Sequence, residues 1–223
     1  MAEAVSGAKN APKAGPPNLG AQLLRVAWMS ILLGVALEVV VLVLAGYAGT
    51  GGSSPKPFLA DLAQKVSWGF IVCVGLAFGS AASKAREGVM GVLGLISAPL
   101  GFGVARSIHK GTLSALGVEV GGAAFPFLIA GLKALEYGVL GALVAYLMKR
   151  NGGAGSPASA YVAAGAGLGL TFGAFITYLL LRAGGGTPAP IDIASKGLNE
   201  LAFPIGCALV LYASNALGKR MPA

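Results

Sequence analysis

Six long apolar segments constrain the fold of this chain more than any other feature of its sequence. A helix needs roughly 20 predominantly apolar residues to cross the hydrocarbon core of a bilayer, and each segment reaches or approaches that length. We therefore predict an all-α integral membrane protein with about six transmembrane helices in a lipid bilayer. The segments lie at about 22–47, 66–83, 88–106, 124–148, 158–182 and 197–217.

The composition agrees with a membrane location, because only 11% of the 223 residues are charged and the mean hydropathy is +0.78. Soluble domains usually carry about a quarter charged residues. The net charge is +8, but the basic residues lie in short clusters at the ends of the apolar segments. Such clusters are typical of orientation signals, and we expect no binding to nucleic acid.

The domain organisation follows from where the apolar segments begin and end. Residues 1–20 are polar and rich in Ala, Gly and Pro, and we predict a disordered N-terminal tail there. This tail is too long and too polar for the start of a cleaved signal peptide, so we expect the first helix to stay in the mature protein. Residues 21–220 are predicted to form a single transmembrane domain, with repeats at about 21–83, 88–148 and 158–218.

Three stretches that each begin at a proline and lead into a helix carry the signal for this repeat. They read PFLADLAQKVSWGF from Pro57, PFLIAGLKALEYGV from Pro126 and PIDIASKGLNELAF from Pro190. At a constant offset, the first two share Pro-Phe-Leu and an aromatic residue followed by glycine. We predict three parallel helical hairpins around a pseudo-threefold axis along the membrane normal. The alternative is that such matches arise by chance in a biased composition.

The basic residues also predict an orientation. If six helices alternate in direction, nine basic residues fall on the side of the termini and six on the other side. By the positive-inside rule, both termini are predicted to be cytoplasmic, in a multi-pass protein of the bacterial inner membrane. The nine are Lys9, Lys13, Arg25, Lys84, Arg86, Lys149, Arg150, Lys219 and Arg220, and the six are Lys56, Lys65, Arg106, Lys110, Arg182 and Lys196.

Two of the predicted helices carry glycines four positions apart. Gly75 and Gly79 lie in the second helix, and Gly165, Gly169 and Gly173 lie in the fifth. Residues four apart stack on one helix face, and small residues there let a neighbouring backbone approach closely. We interpret both faces as helix-packing surfaces. The functional alternatives are an oligomer interface and a narrow pathway lined by glycine.

Four ionisable residues at membrane depth are the candidates for transport or proton coupling. A charge at the bilayer centre costs roughly 3 kcal/mol on insertion scales, and such residues usually face the interior of the bundle. Lys133 and Glu136 are three apart and are able to pair on one helix face. Glu38 has no partner nearby in the sequence and is the best candidate for a buried protonatable group. Glu200 lies near the start of the sixth segment, where an interfacial position is the alternative.

Patterns that would indicate an enzyme or a cofactor are missing from the sequence. The single histidine, His109, excludes a bis-histidine haem within the chain and is expected to be solvated at a helix end. The sequence contains neither HExxH nor a phosphate-binding loop with its lysine. Cys73 and Cys207 are interpreted as small packing residues. We expect no enzyme activity, no cofactor and no metal site.

The last predicted hairpin, AAGAGLGLTFGAF followed by GLNELAFPIGCALVLYA with Glu200, resembles the proton-carrying ring subunit of rotary ATP synthases. That family has a glycine-rich helix, a short polar loop and a helix with one carboxylate. The chain departs from it in its longer connecting loops, in Ser67 where the repeat would place a carboxylate, and in the predicted orientation. The resemblance covers this hairpin alone, and we do not assign the chain to that family.

Two functional hypotheses remain open. Intramembrane charges, helices interrupted by proline and repeated hairpins favour a small-solute or ion transporter or channel. Glycine-rich faces and the lack of a ligand cluster favour a non-catalytic subunit that anchors or scaffolds a larger membrane complex. Expected partners are the lipid bilayer, with either further copies of the chain or other membrane subunits. In a transporter Glu38, Lys133 and Glu136 would converge on a hydrated cavity, whereas in a scaffold they would pair locally.

Overall fold

The computed structural model describes residues 19–48, 55–81, 86–119, 125–150, 155–183 and 187–220, and these residues form helices and short turns, without strands. The six helices are each long and apolar enough to cross a membrane, which suggests a multi-pass membrane protein. The prediction of an all-α chain with six apolar helices is confirmed for the described residues. They are α1 (Leu19–Tyr47), α2 (Pro55–Ser80), α3 (Arg86–Ala115), α4 (Pro126–Lys149), α5 (Ala158–Ala183) and α6 (Pro190–Arg220).

Three helices extend well beyond the apolar segments that predict them. α2 begins at Pro55 and not near residue 66, α6 begins at Pro190 and not near residue 197, and α3 continues past residue 106 to Ala115. Hydropathy marks apolar residues, whereas these added turns carry polar side chains on one face. Of the predicted disordered tail, residues 1–18 lie outside the described part, and residues 19 and 20 belong to α1.

Consecutive helices run in opposite directions across the bundle. We call the end that holds the connections α1–α2, α3–α4 and α5–α6 the hairpin end, and the opposite end the terminal end. At the hairpin end, Lys56 Nζ donates a hydrogen bond of 2.8 Å to the carbonyl of Leu116. At the terminal end, Gln22 Nε2 donates one of 2.7 Å to Ser80 Oγ. Side-chain hydrogen bonds therefore link α2 to the end of α3 at the hairpin end and α1 to α2 at the terminal end.

The second helix of each predicted hairpin lies at the centre of the bundle. α2, α4 and α6 contact one another, while α1 lies against α2 and α6, α3 against α2 and α4, and α5 against α4 and α6. This cyclic order is the one expected for three hairpins around a pseudo-threefold axis. The repeat itself stays a prediction. The peripheral helices expose large apolar side chains, among them Trp28, Leu32, Leu100 and Leu170.

Glycines bring α2, α3 and α4 into close contact. A Cβ on Gly75 would lie 2.6 Å from the Cβ of Ser97, and a Cβ on Gly79 would lie 2.8 Å from the Cα of Met90. On the other face of α3, a Cβ on Gly94 would lie 2.1 Å from the carbonyl oxygen of Tyr137. Distances this short exclude any side chain, so α3 is held tightly between α2 and α4.

Candidate functional site

A cavity of about 530 Å³ opens at the hairpin end between the three central helices. The polar turns that extend α2, α3 and α6 beyond their apolar segments form much of its wall. Basic side chains outnumber acidic ones on this lining, by five lysines and arginines to three carboxylates. The charged and titratable lining residues are Asp61, Lys65, Arg106, His109, Lys110, Lys133, Asp192, Lys196 and Glu200.

Three ionisable side chains from α4 and α6 meet at the inner limit of this cavity. Lys133 Nζ lies 2.9 Å from Glu136 Oε2 and also contacts Glu200 Oε2. Lys133 is 5% exposed and Glu136 is fully buried, while the Glu200 side chain keeps 15% exposure toward the cavity. We call these three residues the charge cluster. It joins α4 to α6, because Lys133 and Glu136 lie one turn apart on α4 and Glu200 lies on α6.

Two aromatic rings lie beside the charge cluster. Lys133 Nζ is 5.6 Å from the ring centroids of both Trp68 and Tyr137, a distance suited to cation–π attraction. The two rings meet edge to face at 5.4 Å. Trp68 brings α2 into the site, so all three central helices contribute to it. Further toward the terminal end, Val72, Leu76 and Leu140 are fully buried in the apolar core.

A second buried ion pair connects α1 to α2. Lys65 Nζ contacts Glu38 Oε2, with Lys65 8% and Glu38 4% exposed. From the sequence alone Glu38 has no partner, because hydropathy places Lys65 in a connection. In the structure Lys65 lies within α2. Lys65 lines the cavity and Glu38 lies behind it. This pair holds one cation and one carboxylate, so it is neutral by itself.

The mouth of the cavity carries a looser set of charges. His109 Nε2 lies 3.0 Å from Asp61 Oδ1, which links α3 to α2 and leaves His109 only partly solvated, contrary to the expectation of a solvated residue. Arg106 lies over the ring of Phe102 at 5.8 Å. Lys110 and Lys196 form no ion pair with any described residue. The mouth therefore has an excess of positive charge.

The glycine face of α5 follows α6 past Glu200. A Cβ on Gly165 would lie 2.5 Å from the Cα of Ile205, and one on Gly173 would lie 2.8 Å from the carbonyl oxygen of Glu200. The chain of α5 widens into a π-helical turn over Gly169–Gly173 at this level. π turns inside α-helices often occur at functional sites.

Pro204 weakens α6 at the same level. Proline has no N–H, so the carbonyl of Glu200, four residues earlier, loses its usual intrahelical hydrogen bond. The missing side chain of Gly173 lets the α5 backbone lie directly against that carbonyl. Glu200 is therefore carried by a turn of α6 that is less constrained than its neighbours.

The two cysteines lie together on α2 and α6. The sulfur atoms of Cys73 and Cys207 are 3.0 Å apart, both side chains are fully buried, and both thiols are free. The sequence analysis treated them as separate packing residues, since their separation of 134 positions gives no local signal. Within the described residues, no three side chains of His, Cys, Asp or Glu lie together as metal ligands would.

The structure brings together three of the four predicted charged residues and separates the fourth. Lys133, Glu136 and Glu200 form the charge cluster, in which Glu200 is the most exposed of the three. Glu38 belongs to the pair with Lys65. Lys65 was missed, although the positions Asp61, Gln64 and Lys65 share one face of an amphipathic helical turn that continues into the apolar part of α2.

No protein-family model matches the sequence, and neither a curated protein nor a solved structure matches it. The geometry of the cavity and the charge cluster therefore carries the functional argument.

Proposed function

We propose that the chain is a small-solute or ion transporter whose pathway begins at the hairpin-end cavity and passes the charge cluster. The observation that carries this proposal is the position of the cluster. Lys133 and Glu200 lie at the limit of a cavity of about 530 Å³, between two of the three central helices. Transporters commonly place the substrate or coupling-ion site near the bilayer midplane, between structural repeats.

The cost of buried charge favours a functional role for the cluster. An ionised residue in a membrane-spanning helix is expensive, and such residues usually mark substrate pathways or proton relays. A buried ion pair adds little stability compared with apolar residues of similar volume. A purely structural contact between α4 and α6 would therefore not require Lys133, Glu136 and Glu200.

The cavity is closed on one side, as one state of an alternating-access cycle would be. Toward the terminal end, Leu76, Leu140 and Val144 are fully buried in an apolar core of the described residues. Opening that end requires movement of one central helix against the others. α6 is the helix suited to this movement, because the glycine face of α5 and the break at Pro204 lie along it.

The cavity also supports the predicted orientation. Of the six basic residues counted on the hairpin side, four line the cavity and leave only Lys56 and Arg182 in the positions that orientation signals occupy. Counted along the sequence, nine basic residues then remain on the side of the termini and two on the hairpin side. By the positive-inside rule, the termini are cytoplasmic and the cavity opens to the opposite side of the membrane.

A flux assay tests this proposal. Proteoliposomes that contain the purified chain would be exposed to sodium, potassium, chloride, acetate, ammonium, glycerol and urea, and volume changes would be followed by light scattering. At least one solute should enter faster than in empty liposomes, and Lys133→Met should abolish that flux. Lys149→Met is the matched control, because Lys149 is an exposed lysine at the terminal end. Flux that survives both Glu38→Gln and Glu136→Gln contradicts the proposal.

The second candidate function is a non-catalytic anchoring or scaffolding subunit. The observation in its favour is that the buried charges pair with one another, Lys65 with Glu38 and Lys133 with Glu136 and Glu200. The mass of the particle extracted in a mild detergent separates the two functions. A stoichiometric set of other proteins supports a scaffold, and a monomer or homo-oligomer supports a transporter.

A further inference from the structure

The charge cluster contains one more carboxylate than cation. Lys133 contacts both Glu136 and Glu200, and no other cation of the described residues lies within ion-pair distance of either carboxylate. Lys65, another buried lysine on the cavity wall, is bound to Glu38. With all three side chains ionised, the cluster would hold a net charge of minus one.

This charge lies where it is strongly disfavoured. Glu136 is fully buried, and its Oε1 atom has no hydrogen-bond partner among the described residues. An unpaired charge in a low-dielectric interior is costly, and the usual outcome is that the group becomes neutral. One proton bound to the cluster would remove the net charge and add an O–H donor where a buried polar atom is unsatisfied.

We propose that the charge cluster is a proton-binding site that holds one proton shared between Glu136 and Glu200. Its use in transport rests on the proposed function above, whereas proton binding itself does not. Glu200 lines the cavity and Glu136 does not, so the proton exchanges with water through Glu200.

The two positions of the proton have different structural consequences. When Glu136 carries it, Lys133 pairs with Glu200 and ties α4 to α6. When Glu200 carries it, Lys133 pairs with Glu136 on its own helix and α6 loses that tether. The turn of α6 that holds Glu200 also lacks the hydrogen bond removed by Pro204. Proton transfer from Glu136 to Glu200 is therefore a switch in the contact between two central helices.

The other charged groups that line the cavity do not neutralise the net charge of the cluster. α5 contributes only Leu180 to the lining and adds no charged group to it. The remaining groups are held by their own partners or lie at the mouth, beyond ion-pair distance of the cluster. They are Asp61 and Lys65 from α2, Arg106, His109 and Lys110 from α3, and Asp192 and Lys196 from α6.

Infrared spectroscopy of the purified full chain tests the proposal by counting protonated glutamates. A protonated carboxyl group has a C=O band that a carboxylate lacks, and isotope labelling of the glutamate carboxyl carbon assigns the band to Glu. The wild-type chain at neutral pH should show one such group. Glu136→Gln and Glu200→Gln should each lose it, because Lys133 then balances the one carboxylate that remains. Lys133→Met should show two protonated glutamates.

Controls separate this outcome from a general change in the protein. Glu38→Gln should leave the band unchanged, since Glu38 is paired with Lys65, and Glu87→Gln should do so because Glu87 lies at the surface beside Lys149.

Three results overturn the proposal: no labelled band in the wild-type chain, a band that persists in both Glu136→Gln and Glu200→Gln, or loss of the band when sodium is added at constant pH. The wild-type spectrum decides the first and third even if the variants do not fold. If the wild-type chain shows the band but moves none of the tested solutes, the transporter is contradicted and the proton site stands.

Discussion

At the scale of single residues, the two buried ion assemblies differ in their stoichiometry. Lys65 and Glu38 form a neutral pair between α1 and α2, whereas Lys133 is shared by two carboxylates. A neutral pair has no reason to bind a further ion, and its loss should affect stability first. The cluster has an unbalanced charge, and its loss should affect proton binding and transport first.

The Lys65–Glu38 pair provides a prediction about stability. Glu38→Gln leaves the Lys65 ammonium without its counter-ion, and breaking a buried pair in this way typically costs about 3 kcal/mol. We expect a loss of this size in the free energy of unfolding, measured by denaturant titration in detergent micelles. Adding Lys65→Met to Glu38→Gln should restore most of it, because no unpaired charge then remains.

Glu87→Gln is the control for this measurement. Its partner Lys149 is mostly exposed, and surface pairs contribute little, so the unfolding free energy should change by less than about 1 kcal/mol. If the single Glu38→Gln variant is as stable as the wild-type chain, Lys65 and Glu38 do not form the buried pair.

The sequence predicts residue contacts only where they are local. The pair of Lys133 and Glu136 follows from their spacing of three on one helix, and the structure contains it. Glu38 and Lys65 are 27 positions apart, and Lys133 and Glu200 are 67 apart. Contacts of that kind depend on how the helices pack, which a single sequence does not encode in any local pattern. The same reason explains why the meeting of Cys73 and Cys207 was missed.

At the scale of helices, the errors in the predicted boundaries coincide with the cavity. The first three turns of α2, the last turns of α3 and the first two turns of α6 are helical although they are polar. Hydropathy predicts where a helix meets lipid, whereas these polar turns line the cavity. The amphipathic character of the stretches from Pro57 and Pro190 was visible in the sequence, but it does not show whether a stretch lies inside or outside the bundle.

The contact between α5 and α6 gives a prediction with a matched control in the same helix. A Cβ on Gly165 would lie 2.5 Å from the Cα of Ile205, whereas a Cβ on Gly167 would meet nothing within 4 Å. Gly165→Ala should therefore force the two backbones apart and lower the free energy of unfolding by roughly 1–3 kcal/mol, measured by the same titration.

Gly167→Ala should be neutral or stabilising by up to about 1 kcal/mol, because alanine has the higher helix propensity and its methyl group faces open space. Equal effects of Gly165→Ala and Gly167→Ala would show that α5 and α6 do not approach each other along the predicted glycine face.

At the scale of the whole molecule, the arrangement of the helices changes how the bias in basic residues is counted. Counted along the sequence, the bias in basic residues is modest. Four of the six basic residues on the hairpin side line the cavity, and if the proposed site requires them, they no longer count as orientation signals. The number and type of helices could be predicted from hydropathy alone. The site could not, because all six helices contribute residues to it and it exists only after they pack.

The orientation leads to a prediction about access from the two sides of the membrane. In a background with Cys73→Ser and Cys207→Ser, we would introduce Asn199→Cys, which lies on the cavity wall, or Lys149→Cys, which is exposed at the terminal end of α4. A membrane-impermeant maleimide added to intact cells reaches water-filled spaces from outside only. It should label Asn199→Cys and spare Lys149→Cys, since the cavity is expected to open outward and the terminal end to face the cytoplasm. Inverted membrane vesicles exchange the two faces, so Asn199→Cys should be protected there unless the protein opens toward the terminal end. Labelling of Asn199→Cys from the cytoplasmic face alone would reverse the orientation, and labelling from both faces would indicate that both states of an alternating-access cycle are populated.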